Sequence, residues 1–161
     1  MRPIKTILVP TDFSAGAERA LAYARDVADA FGASFHLLHV FENPLAAGAF
    51  MDMYTPAAPE YLDRLERQAR TQLEGLLTDV QKDKYSPVFA TRMGGPIQGI
   101  LDYVREHGAI DLIVLGTSDR GPVARLMLGS VADRLVRSAP CPVLTVHLHD
   151  RSEAGQQNRA A

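Results

Sequence analysis

Short apolar runs alternate with longer amphipathic stretches along most of the chain. Ile7, Leu8 and Val9 are consecutive and apolar, so residues 4–10 read as a strand buried on both faces. Thr11-Asp12-Phe13-Ser14 follows as a turn, with Ser14 a good N-cap. Ala17, Ala20, Leu21, Ala24, Val27, Ala28 and Phe31 then recur at steps of three and four. That spacing predicts one helix face, closed by Gly32.

Residues 34–41 form the second predicted strand, carried by Leu37, Leu38 and Val40. A proline- and alanine-rich loop over 42–59 leads to a helix predicted over 60–82. Its stripe is Leu62, Leu65, Ala69, Leu73, Leu76 and Val80. Residues 87–92 form a third strand, and Pro87 places it at a sheet edge. Gly95-Pro96 opens a helix with Ile97, Ile100, Leu101 and Val104 as its stripe, and Gly108 ends it. Residues 110–115 are the most apolar strand. A loop over 116–128 precedes a helix starting near Ser130 and ending at Ala139-Pro140. Residues 142–148 form a fifth strand.

Strands alternating with helices predict an α/β fold, and right-handed crossovers restrict its topology. The expectation is a doubly wound, Rossmann-like, open five-stranded parallel sheet of order 3-2-1-4-5, with helices on both faces. One domain is expected over 1–149, and the polar stretch 150–161 reads as a disordered tail.

The 161 residues suffice for one buried core. A net charge of -2 and the absence of Lys/Arg runs exclude general electrostatic attraction to nucleic acid or anionic lipid. The apolar run near the N-terminus is too short for a signal core or a membrane span. Cys141 is the one cysteine, so a reducing compartment is expected and the protein is read as cytoplasmic.

In an open α/β sheet, ligands bind beyond the carboxyl ends of the strands, where strand order reverses. In this order that point lies between the first and fourth strands. It gathers Pro10-Thr11-Asp12, the segment from Leu115 and Gly116 to Asp119, and the helix start Gly129-Ser130-Val131. Unpaired N–H groups and partial positive charge suit a helix start to phosphate. On pattern alone, Gly129-Ser130 reads first as a turn and cap, and Asp12 as a residue bonding its own turn.

Several separated motifs agree with a known family. From Val114 the chain runs V-L-G-T-S-D-R-G-P-V-A-R-L-M-L-G-S-V-A-D-R-L-V-R-S-A-P-C-P-V-L-T-V, preceded by I-L-V-P-T-D-F-S at residues 7–14 and G-G-P at 94–96. This resembles the universal stress proteins, whose ATP-binding members show G-x2-G-x9-G-[ST], over nearly the whole chain to about His147. The resemblance implies adenine and ribose contacts from Pro10, Thr11 and Asp12, and a backbone contact to adenine from Val40. It implies a phosphate loop starting at Leu115 and Gly116 and ending at Gly129, Ser130 and Val131. It also implies no shared catalytic reaction, a role in stress response, and a homodimer joined through the last strand. Asp119 stands where the signature has its second glycine. A carboxylate about 4 Å from a phosphate costs about 1–4 kcal/mol, so triphosphate binding is expected to be weakened or metal-dependent. Arg120 and Arg125, or Mg2+ bridging Asp119 to the phosphates, would offset that charge. The expected cofactor is ATP or another adenine nucleotide, with or without Mg2+. The competing expectation is a dimeric interaction protein of the same family that does not bind ATP.

Other chemistry is set aside. His36 and His39 lie three apart in a strand and face opposite sides, and His147 and His149 lack a third ligand, so no metal site is expected. Cys141, between two prolines, reads as packed rather than reactive. Met51, Met53 and Tyr54 form an apolar group in the 42–59 loop, a candidate lid or partner contact. The P-loop lysine and the first-strand G-x-G-x-x-G are absent, as are an acidic residue closing the third strand and a His partner for Ser130.

Overall fold

The computed structural model describes residues 3–43, 58–117 and 129–147. The 42–59 loop apart from its first and last two residues, residues 118–128 with Asp119, Arg120 and Arg125, and the stretch from Leu148 onward lie outside them. The elements are β1 (Thr6–Pro10), α1 (Ala15–Phe31), β2 (Ser34–Phe41), α2 (Ala58–Gly75), α3 (Asp79–Tyr85) and β3 (Val88–Met93). They continue with α4 (Pro96–His107), β4 (Leu112–Gly116), α5 (Ser130–Ser138) and β5 (Val143–Val146). All strand pairs are parallel and the order is β3-β2-β1-β4-β5, as the sequence predicts.

Alternation along the strands divides the core into two layers. Ile7, Val9, Phe35, Leu37, Leu112 and Val114 face α1, α2 and α3. Leu8, Leu38, Ile113 and Leu115 face Ile100, Leu101, Tyr103 and Val104 of α4 and Ala132 and Leu135 of α5. Helix α1 presents Ala17, Ala20, Ala24 and Ala28, small residues that let its axis approach the sheet. Ser14 caps its start by accepting from the Ala17 N–H, and Gly32 closes it in the left-handed region at φ 66°. The Asp111 carboxylate accepts from the backbone N–H groups of Lys5 (2.8 Å) and Thr6 (3.1 Å), tying the β4 approach to the start of β1.

Three expectations need correction. The helix predicted over 60–82 is two helices. Thr78 starts α3 with a capping box, its Oγ1 accepting from the Gln81 N–H at 3.3 Å while Gln81 Oε1 accepts from the Thr78 N–H at 3.0 Å. The break turns Leu77 into the core, and Tyr85 packs on Phe35 with its hydroxyl donating to Asp29 (2.8 Å). Val80 is consequently 77% exposed and belongs to no apolar stripe. Phe31, assigned to the buried face of α1, is 52% exposed because it lies in the last turn, past the end of the sheet contact.

The tightest junction joins α1 to β4. A Cβ on Gly116 would collide with the Gly16 carbonyl, and a Cβ on Gly16 would lie 3.0 Å from the Thr117 carbonyl oxygen. Both obstacles are backbone, which cannot swing aside. Gly116→Ala is therefore expected to destabilise the fold by about 1–3 kcal/mol or more. Gly75→Ala, with nothing within 4 Å of the new methyl, should stabilise by about 0.4–1 kcal/mol. Urea midpoints at unchanged m-value would report both.

A second prediction concerns pH. His36 lies between β2 and α4, its Nδ1 2.9 Å from the Tyr103 hydroxyl and its ring edge-on to His107. Burial, aided by the nearby His107, holds its pKa below the ordinary 6.5. Below about pH 6.5 the unfolded chain therefore binds more protons at this residue than the folded one, and stability falls as pH drops toward the folded-state pKa. Denaturation curves between pH 7.5 and 5 should show this decline, and His36→Gln should flatten part of it.

Candidate functional site

Strand order reverses between β1 and β4, and a cleft of ≈ 230 Å³ opens there at the carboxyl ends of the strands. Pro10, Thr11, Asp12, Val40, Leu115, Gly116, Gly129, Ser130 and Val131 all line it. The structure thus brings these nine sequence-predicted residues together, while Arg120, like Asp119 and Arg125, lies outside the described residues. Ser14, Ala17, Leu38, Pro96, Ile100 and Ala132 complete the lining and were not predicted. Leu38 was legible as the position two before Val40 on the same strand face. Pro96 and Ile100 required knowing that α4 packs beside that strand.

The turn after β1 is wired by its own side chains. Thr11, 8% exposed, donates its N–H to the Leu38 carbonyl (2.9 Å), and its Oγ1 accepts from the Phe13 N–H (3.0 Å). Asp12 Oδ1 accepts from the Ser14 N–H (3.0 Å), the self-bonded turn that the pattern alone suggested. Phe13 takes a left-handed φ of 61°, which costs a non-glycine residue about 1–2 kcal/mol. The Asp12 side chain is exposed and is the one charged group among the described residues lining the cleft.

The opposite wall is the start of α5. Gly129 is its N-cap at φ -52° and ψ 150°, and no side chain among the described residues caps the helix. The first intrahelical bond that closes on Gly129 comes from the Asp133 N–H (3.0 Å), so the N–H groups of Ser130, Val131 and Ala132 have no partner within the helix. These donors lie at the cleft with the positive end of the helix dipole. Asp133, which would oppose that field, is engaged by Arg137 one turn on (Nη2 to Oδ1, 3.1 Å).

Two further contacts shape the cleft. A Cβ on Gly99 of α4 would sit 2.8 Å from Val40 Cγ1, so glycine there lets α4 close against the end of β2 and hold the Val40 side chain at the cleft wall. Thr117, 3% exposed, donates its N–H to the Val146 carbonyl (2.9 Å), and its Oγ1 lies 3.0 Å from His147 Nδ1. That pair anchors the chain where it leaves β4. Gly116, expected as the start of the phosphate loop, has a packing reason of its own against Gly16.

No group of three or more His, Cys, Asp or Glu side chains able to hold a metal occurs among the described residues. None of their helices is long and apolar enough to cross a membrane. Cys141 is half-buried, and burial together with the Asp111 charge pushes its thiol pKa up, away from reactivity.

Comparison with known proteins agrees with this fold. The family model described as Universal stress protein family matches residues 3–147. A protein of Thermus aquaticus, the universal stress protein in the QAH/OAS sulfhydrylase 3' region, is 36% identical over 88% of this chain and 98% of its own. The solved universal stress protein UspA of Lactobacillus plantarum is 28% identical, with a TM-score of 0.65 over 91% of this chain and 99% of its own. A universal stress protein solved in complex with cAMP shares the fold at 24% identity and a TM-score of 0.57, over 92% of this chain and 100% of its own.

Proposed function

The chain belongs to the universal stress protein family, and from that premise we propose that it binds an adenine nucleotide, ATP or AMP, as a regulatory module in a stress response. The observation that carries this reading is the uncapped start of α5 facing an apolar slot between Val40 and Leu115. The cleft is below the roughly 300–1,000 Å³ of drug-sized pockets. It suits a base and part of a sugar, with phosphate over the rim at Gly129-Ser130. In this reading Pro10, Val40 and Leu115 sandwich the base. Asp12 accepts from ribose hydroxyls, and the Ser130 hydroxyl and the Ser130 and Val131 N–H groups donate to phosphate. The relative solved with cAMP supports an adenine nucleotide as the ligand class. Arg120 and Mg2+ would offset the charge that Asp119 adds to the outer phosphates.

Calorimetry with adenosine, AMP and ATP, each with and without Mg2+, tests the reading. Adenosine and AMP should bind without metal, and ATP should gain affinity from Mg2+. Ser130→Glu puts a carboxylate on the helix start and should weaken AMP about 10-fold while leaving adenosine within about 2-fold. Failure of all three to bind would leave the reading of a dimeric interaction protein without a nucleotide.

The same premise extends to assembly and location. Strand β5 is an edge of the sheet, and its four residues, Val143, Leu144, Thr145 and Val146, are only half-buried. Pairing through that strand would cover them, giving a homodimer. Light scattering at micromolar concentration should return twice the chain mass; a monomer would refute the assembly. The lone cysteine supports a cytoplasmic location.

A further inference from the structure

Leu38 and Val40 of β2 face the cleft, and His39 between them points to the other side of the sheet. There its ring packs against Phe13, with centroids 4.6 Å apart, and lies stacked toward Phe41 at 6.3 Å. Its Nδ1 is 2.8 Å from the Thr11 carbonyl oxygen. A carbonyl only accepts, so Nδ1 carries the hydrogen and donates it, leaving Nε2 without a proton in the neutral ring.

This bond completes a clamp on one peptide unit after another. The Thr11 N–H is taken by Leu38, and the Thr11 carbonyl by the side chain of the next residue of the same strand. The two bonds fix the peptide groups on both sides of Thr11. Beyond it, Phe13 is held in the left-handed region by the Thr11 Oγ1 bond to its N–H and by its ring contact with His39. The Thr11 and Asp12 side-chain bonds support that conformation from within the turn, and the His39 ring adds support from the neighbouring strand. Asp12, which lines the cleft, stands between these two held residues with its Oδ1 accepting from the Ser14 N–H.

We propose that His39 is a positioning residue: acting through Thr11 from the face of the sheet opposite the cleft, it sets the Thr11-Asp12 turn in the orientation that receives the nucleoside. This inference rests on the nucleotide reading above for its consequence in binding, while the clamp itself can be tested without ligand. Because Nδ1 donates in both the neutral and the protonated ring, the clamp does not depend on the His39 charge state.

The test compares His39→Leu, which deletes the donor, with His39→Asn, whose amide nitrogen reproduces the reach of Nδ1, and His39→Gln, whose amide lies farther out. Adenosine affinity by calorimetry should fall about 3- to 10-fold in the Leu and Gln variants and recover in the Asn variant. Exchange of the Phe13 and Ser14 amides, followed by NMR without ligand, should accelerate in the Leu and Gln variants and slow again in the Asn variant. If His39→Leu does not fold, the Asn and Gln pair carries the same comparison. Wild-type protein that binds none of adenosine, AMP and ATP would overturn the nucleotide reading alone, and amide exchange would still decide the clamp. Wild-type binding with unchanged affinity in the Leu and Gln variants, or unchanged amide exchange in them, would overturn the proposal.

Discussion

The contact between Gly16 and Gly116 is the constraint on which the rest of the site depends. The two backbones approach so closely that Gly116 tolerates no Cβ and Gly16 would meet the Thr117 carbonyl oxygen at 3.0 Å, and the start of α1 is thereby fixed to the end of β4. Because α1 follows β1 after only a four-residue turn, that turn is held beside the exit of β4. The opening between β1 and β4 is then a fixed feature of the sheet, and α5 completes it from the other side. The alanine face of α1 serves the same end, since larger side chains would lift the helix away.

Within this frame the polar side chains of the first turn serve the turn itself. Thr11, Asp12 and Ser14 each accept a backbone N–H from two or three residues ahead. These bonds replace the ladder that ends at Pro10, and they offset the cost of the Phe13 conformation. The Ser14 hydroxyl caps α1, whereas α5 has no such cap. The two helix starts at one cleft differ in this respect.

Strand order and both faces of the sheet were legible because a period of two and a period of 3.6 are properties of the chain itself. The switch point followed from strand order, and nine predicted site residues lie along its rim. The break at Leu76-Leu77-Thr78 was legible in principle from Thr78 and Gln81, but the apolar period runs on past it. Only the packing of Leu77 and Tyr85 decides where the helix stops. The reasons for Gly99 and Gly116 were not legible, since a glycine in sequence does not say what approaches it. His39 was legible only as half of an unsuitable metal pair; its bond to Thr11 spans 28 residues and requires the β1–β2 register.

The cleft is assembled from residues as distant as Pro10 and Val131, drawn from every strand but the two at the edges. None of these segments forms the cavity alone, and the unfolded chain has no counterpart of it. A ligand seated there acts as a thermodynamic linker, adding RT ln(1 + [L]/Kd) to the folding free energy, about 2.7 kcal/mol at a hundredfold excess over Kd. The folded population of the protein is then itself a readout of ligand concentration, without any change of shape in the folded state.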